Sequence, residues 1–188
     1  MSSRRDEVLV AALGLLDDVG LDAITIRRLA ERIGVQPGAL YRHFTSKREL
    51  LDAMVERIVA EAPAADMTGD WAAQVRSVAG SSRAGMLAYR DGARLMATFH
   101  QPGPDMLTSW QRFVGLFTGA GLDESAAMIA VDTVVCYVNG YTMEEQARGN
   151  RPRDERDLAF QAGLDLIITG VEAGLAGVRP LADQPTGP

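Results

Sequence analysis

Six basic side chains, Arg27, Arg28, Arg32, Arg42, Lys47 and Arg48, fall between Thr25 and Arg48, a stretch that carries one acid, Glu31. Arginine offers a planar fork of donors that matches phosphate oxygens or the acceptor edge of guanine, and lysine offers a compact positive charge. Gln36, Tyr41 and His43 stand among them with further groups that reach backbone oxygens, while Gly38 and Ala39 are small enough to allow close approach. This is the chemistry of holding a polyanion. The residue patterns of catalysis are not in the chain: it has no Gly-rich phosphate loop, no Gly-x-Ser-x-Gly and no His-Glu-x-x-His, and its two histidines, His43 and His100, lie 57 positions apart. Cys136 is the single cysteine, so neither an internal disulfide nor a cysteine-built zinc site can form. The expectation is a binding protein, not an enzyme, without metal or cofactor, in a reducing cytoplasm. Cys136 itself, with no basic neighbour to lower its pKa, is expected to be a small buried hydrophobe.

A formal net charge of -6 argues against a polyanionic partner only if it is spread evenly. Residues 63–188 hold ten arginines and fifteen acids, whereas the stretch from 25 to 48 has a surplus of five positive charges. Screening acts over roughly 8 Å at physiological salt, so the acidic bulk does not cancel the basic face. The chain thus has a small cationic head on an acidic body. Its 188 residues suit one domain or one domain with an appendage, and 47% hydrophobic content suffices for a core. Aromatics at 6%, with Ala and Leu dominating over Val, Thr and Tyr, favour an all-α fold. Residues 1–20 lack an export signal, and the apolar runs around 128–138 are interrupted by Asp132 and Asn139, so no membrane span and no membrane partner are expected.

The elements that must position the basic residues follow from periodicity. Val8, Leu9, Ala12, Leu13, Leu15, Leu16 and Val19 form one stripe of a helix that stops at Gly20. Thr25 caps a two-turn helix ending at Gly34. Pro37 opens a third, with Leu40 and Phe44 inward and Gln36, Ala39, Arg42 and His43 outward. Ser46 and Glu49 read as a capping box for a fourth helix that runs to about Pro63. Beyond it, helices are expected from Trp71 to about Arg90, from Gly92 to Thr98, from Met106 to Thr118, from Asp123 past Met143 and from Glu155 to about Leu175, followed by a disordered tail.

Two short helices joined by a glycine-containing turn, the second polar and cationic outside, form a helix-turn-helix. The sequence resembles the tetracycline-repressor (TetR) family of bacterial transcriptional regulators through Thr25-Ile26-Arg27-Arg28-Leu29-Ala30, Gly34-Val35, Gly38 to Phe44 and Lys47 to Leu51. Tyr89 to Arg94, Gly140 with Glu144 and Glu145, and Gly163 to Gly170 are similar to the core domain of the family's tetracycline repressors. The resemblance implies a homodimeric repressor on double-stranded operator DNA, released by a small-molecule inducer. It implies a head at 1–46, a connecting helix at 47–63, a ligand-binding and dimerisation core at 64–177 and a tail at 178–188. By position in the family motif, Thr25, Arg27, Arg28, Gln36, Pro37, Gly38, Ala39, Tyr41, Arg42, His43 and Lys47 should meet DNA.

In the core, positions that match the tetracycline repressor's polar anchors for drug and magnesium read Pro63, Val78, Met96 and Phe113, and Glu144 alone stays acidic. A metal-chelated tetracycline is therefore not expected. A flat or bulky apolar ligand fits better, against Met86, Tyr89, Met96, Phe99, His100, Trp110, Phe113, Phe117, Met128 and Glu144. The last two long helices are apolar on more than one face, so a four-helix bundle between subunits is expected through Val131, Val135, Val138, Gly163, Leu164, Ile167, Ile168 and Val171.

Overall fold

The computed structural model describes residues 3–149 and 152–177; the tail expected to be disordered from 178 onward lies outside the described residues. Every helix and strand assigned among them is helical: α1 (Arg4–Val19), a 3-10 turn (Leu21–Ala23), α2 (Ile26–Ile33), α3 (Pro37–Leu40), α4 (Lys47–Glu61), α5 (Trp71–Leu87), α6 (Gly92–Met96), α7 (Pro104–Gly119), α8 (Glu124–Arg148) and α9 (Arg153–Gly177).

The helix starts obey local chemistry. The Thr25 hydroxyl accepts the Arg28 N–H, Asp70 accepts from Ala73 and Asp123 accepts from Ala126, each satisfying an amide that the first helical turn leaves open. Ser46 accepts the Glu49 N–H, but the box expected there does not close on Ser46. The Glu49 carboxylate accepts instead from the Thr45 N–H and hydroxyl, both at 2.7 Å, and these bonds hold it below the usual carboxylate range. Gly34 ends α2 at φ 70°, a left-handed conformation that costs glycine nothing and lets α3 leave at an angle. α3 itself is a single turn that continues as a hydrogen-bonded turn into Phe44.

Two cores result. The first gathers Val8, Leu16, Ile24, Leu29, Leu40, Phe44, Met54 and Ile58 from α1 to α4, together with Leu95 of α6. The second gathers Val75, Met86, Phe117, Val131, Phe160 and Leu164 from α5 and α7 to α9, and α8 packs against α5, α6, α7 and α9. Each such side chain, removed from water, is worth about 1.5–3 kcal/mol. Met96 touches both cores.

The second core encloses an ion network. Arg83 donates through Nε and Nη2 to both Glu145 oxygens at 2.8 and 2.9 Å and through Nη1 to Asp157 at 2.7 Å, while its guanidinium lies 4.8 Å from the Phe160 ring centre. Burial works against the charge on Arg83, and the two carboxylates more than offset it, so its pKa is raised. The network fastens α5, α8 and α9 together.

By length and composition alone, two helices, Glu124–Arg148 and Arg153–Leu175, are apolar enough to cross a membrane, which the interrupted runs in the sequence did not suggest. Asp132 and Asp165 fall within them, and α8 spends one face on the second core.

Candidate nucleic-acid interface and regulatory core

On the head, α2 and α3 present Thr25, Arg27, Arg28, Gln36, Pro37, Gly38, Tyr41, Arg42 and Lys47 to solvent, with Ala39 and His43 half-buried beside them. All eleven expected residues therefore share the α2–α3 side and the start of α4. Their charges are not equally free. Arg27 pairs with Glu31 at 2.9 Å, Arg28 donates to the Ala23 carbonyl at 3.0 Å, and Arg32 pairs with Asp18. Arg42, Lys47 and Arg48 make no ion pair among the described residues and are exposed, as is Tyr41 at 51%. A side-chain carbon placed on Gly38 would meet nothing within 4 Å, so its smallness serves no packing need of this chain. Arg5, which the basic cluster did not point to, lies 4.8 Å from the Phe44 ring centre and ties the start of α1 to the end of the recognition turn.

Between head and core, carboxylates of the head accept donors from residues 89–103. Asp17 accepts from Arg90 N–H at 2.8 Å, Asp52 from His100 N–H at 2.9 Å, Glu56 from Gly103 N–H at 2.8 Å and Glu61 from the Tyr89 hydroxyl at 2.7 Å. In the reverse sense, Asp91 accepts the Leu21 N–H and Arg94 donates to Asp22. The segment Tyr89 to Arg94 is thus the joint between the two cores. Burial, then the Glu61 hydrogen bond, pushes the Tyr89 hydroxyl up to about 12, and the same bond lowers Glu61.

The ten residues expected around a ligand do not converge in the single chain. Met86, Phe113 and Phe117 sit together in the second core, with the two phenyl rings 5.7 Å apart. Tyr89, Met96 and Phe99 pack against the first core, and Met96 also against the second. Trp110 and Met128 are exposed at 39% and 37%. His100 is exposed, with its backbone on Asp52. Glu144 faces outward and pairs with Arg148 at 2.7 Å; the carboxylate turned inward is that of Glu145. Its signal was present in the sequence, because Val131, Val134, Val138, Thr142 and Glu145 lie on one helical stripe and Glu144 lies off it.

The residues expected at a subunit interface divide likewise. Val131, Val138, Leu164 and Ile168 are buried inside this chain, and a side-chain carbon on Gly163 would run into the Tyr137 hydroxyl of the same chain. Ile167 and Val171 are half-buried, while Val135 is exposed. The free apolar side chains are Ile129, Val135, Leu158 and Leu166. Cys136, expected to be buried, is exposed. Both differences have one cause: a helix that is apolar on two sides does not say which side its own chain will cover.

Comparison with known proteins decides what carries this head. Residues 8–54 match the family model described as bacterial regulatory proteins, tetR family, and residues 62–158 match the tetracyclin repressor-like C-terminal domain. The chain belongs to the TetR family of transcriptional regulators. Among TetR-family proteins it is 37% identical to the tetracycline repressor protein class A from transposon 1721 of Escherichia coli, over 87% of this chain and 88% of that one. It is 37% identical, with a TM-score of 0.81, to a TetR variant from Acinetobacter baumannii AYE solved in complex with minocycline, over 92% and 98% of the two chains. It is 31% identical, with a TM-score of 0.76, to BioQ solved with its natural double-stranded DNA operator, over 92% and 99%. TetR-family membership accounts for the pairing of an all-helical core with a helix-turn-helix head.

Proposed function

We propose that this TetR-family regulator is a repressor that binds a near-palindromic operator as a homodimer in the cytoplasm and is released by a small, mostly apolar ligand. The observation that carries the DNA reading is the exposed, unpaired set of Arg42, Lys47 and Arg48 beside Tyr41 on one side of an otherwise acidic protein. In this reading residues 1–46 are the head, 47–63 the connecting helix and 64–177 the ligand and dimer core. α3 enters the major groove, with Gln36, Gly38, Ala39, Arg42 and His43 toward base edges and Thr25, Arg28, Tyr41 and Lys47 toward phosphates. A dimer would read half-sites about 34–36 Å apart.

Dimerisation is supported by Leu158 and Leu166, exposed at 72% and 76% on α9, with Ile129 and Val135 on α8. Such a surface is costly in water and covers well against a second copy. An apolar inducer is supported by Met86, Met96, Phe113 and Phe117. Pro63, Val78, Met96 and Phe113 bring no metal-ligating oxygen or nitrogen side chain to the positions where the tetracycline resemblance would need one. Release follows if the inducer prefers a core conformation in which residues 89–103 shift against α4, because that segment is the hydrogen-bonded joint to the head.

The test is binding of the purified protein to DNA from upstream of its own coding region and neighbouring genes, against scrambled competitor at fixed salt. Competitor-resistant binding at one dimer per palindrome supports the reading. Equal binding to scrambled DNA, or operator affinity that no apolar compound lowers in a screen at saturating concentration, would overturn its operator part or its inducer part respectively.

A further inference from the structure

At the junction of head and core, an open groove of about 440 Å³ is lined by Leu21, Asp22, Lys47, Leu51, Arg94, Ala97, Thr98 and Met143. It draws on the 3-10 turn, α4, the end of α6 and α8, and none of the residues assigned above to inducer binding lines it. Its volume is that of a small-molecule site.

The lining has a division of labour. Leu21, Leu51, Ala97 and Met143 supply apolar wall. Arg94 is already held by Asp22 at 3.0 Å and by Asp91 at 3.4 Å, so its charge is matched from two sides. Lys47 makes no ion pair among the described residues. It is the first residue of α4, where the positive end of the helix adds to its own charge. A groove with apolar walls and one uncompensated cation selects a compact apolar body that carries one negative group.

We propose that this groove is a second ligand site, separate from the inducer core, for a small amphipathic monoanion whose carboxylate or sulfonate pairs with Lys47 and whose apolar part lies on Leu51, Ala97 and Met143. Lys47 is also assigned above to an operator phosphate, so occupancy of the groove would weaken DNA binding; that consequence, and not the site itself, rests on the DNA reading.

Lys47 is the only lysine in the chain, which makes the test direct. Reductive methylation with a carbon-13 label keeps its charge and gives one side-chain signal, distinct from the α-amine. The full-length protein is titrated with 8-anilinonaphthalene-1-sulfonate, and with N-phenyl-1-naphthylamine as the same body without the anion. The expected result is a saturable shift of the Lys47 signal with the sulfonate and at least tenfold weaker binding of the neutral probe. Ala97→Trp, at an exposed position, should fill the groove and weaken the sulfonate tenfold or more with an unchanged circular dichroism spectrum. A Lys47 signal that stays put while probe fluorescence saturates, equal binding of the two probes, or a shift untouched by Ala97→Trp overturns the site. If the site stands but DNA affinity is the same with and without the sulfonate, the assignment of Lys47 to phosphate fails instead.

Discussion

Gly38 is the residue at which two pressures can be separated. Its helical position gains from a methyl group, and nothing in the chain occupies the space, so Gly38→Ala should leave stability unchanged or raise it by about 0.5–1 kcal/mol. If α3 meets the groove floor there, operator affinity in the same variant falls about tenfold or more, and parallel urea melts and DNA titrations read both effects. Glu145 is the counterpart in the interior. Its side chain is 3% exposed and pairs with Arg83 at 10%, so Glu145→Ala leaves a buried guanidinium short of its partner and should cost about 3–5 kcal/mol in urea denaturation. Arg83→Met combined with Glu145→Met should cost less than the sum of the single changes, because neither charge is then left behind. The tyrosines make a pH-dependent contribution. Tyr89 and Tyr137 are both pushed up to about 12, mainly by burial, against about 10 unfolded. The folded state favours the neutral phenol, so this stabilisation is full below pH 10 and is lost as pH rises from 10 to 12. Melting temperature should fall across that window, and less steeply in Tyr89→Phe and Tyr137→Phe.

At the scale of elements, α4 does two jobs. Its apolar face, Leu50, Met54 and Ile58, belongs to the first core, and its polar face holds the stretch between α6 and α7 through Asp52 and Glu56. The bonds run to the backbone amides of His100 and Gly103, so they fix the path of the chain rather than any one side chain. Asp52→Ala with Glu56→Ala should therefore speed amide exchange of residues 97–104 at least tenfold, measured by hydrogen–deuterium exchange, while α1 to α3 keep their protection. Unchanged exchange would mean that the joint is held by packing of Leu95, Met96 and Phe99 alone.

For the whole molecule, the open question of covered area is one of association. α8 and α9 leave Ile129, Val135, Leu158 and Leu166 in water on a single chain, and a dimer that buries them also sets the distance between two heads. Leu158→Glu with Leu166→Glu should convert a dimer to a monomer in sedimentation analysis, leave the helical spectrum intact and abolish the preference for a palindrome over a single half-site. A wild-type chain that sediments as a monomer at micromolar concentration would end the dimer reading.

The local grammar of this protein was legible without coordinates. Thr25, Ser46, Asp70 and Asp123 cap the helices expected of them, Gly20, Gly34 and Gly149 end others, and the charge asymmetry of the head is a matter of counting. Caps, breakers and stripes act over a few residues, so the sequence by itself determined the helices, their order, the helix-turn-helix and the family. Tertiary structure decided which of two apolar faces each long helix keeps for itself, and so moved Val131, Val138, Leu164 and Ile168 inside and left Leu158 and Leu166 out. It also decided that Glu145 rather than Glu144 meets Arg83, and that Arg27 and Arg32 spend their charge on Glu31 and Asp18 while Arg42 and Lys47 do not. These choices depend on residues far apart in the chain that share space only after packing, and periodicity along one helix carries no information about which neighbour will cover it.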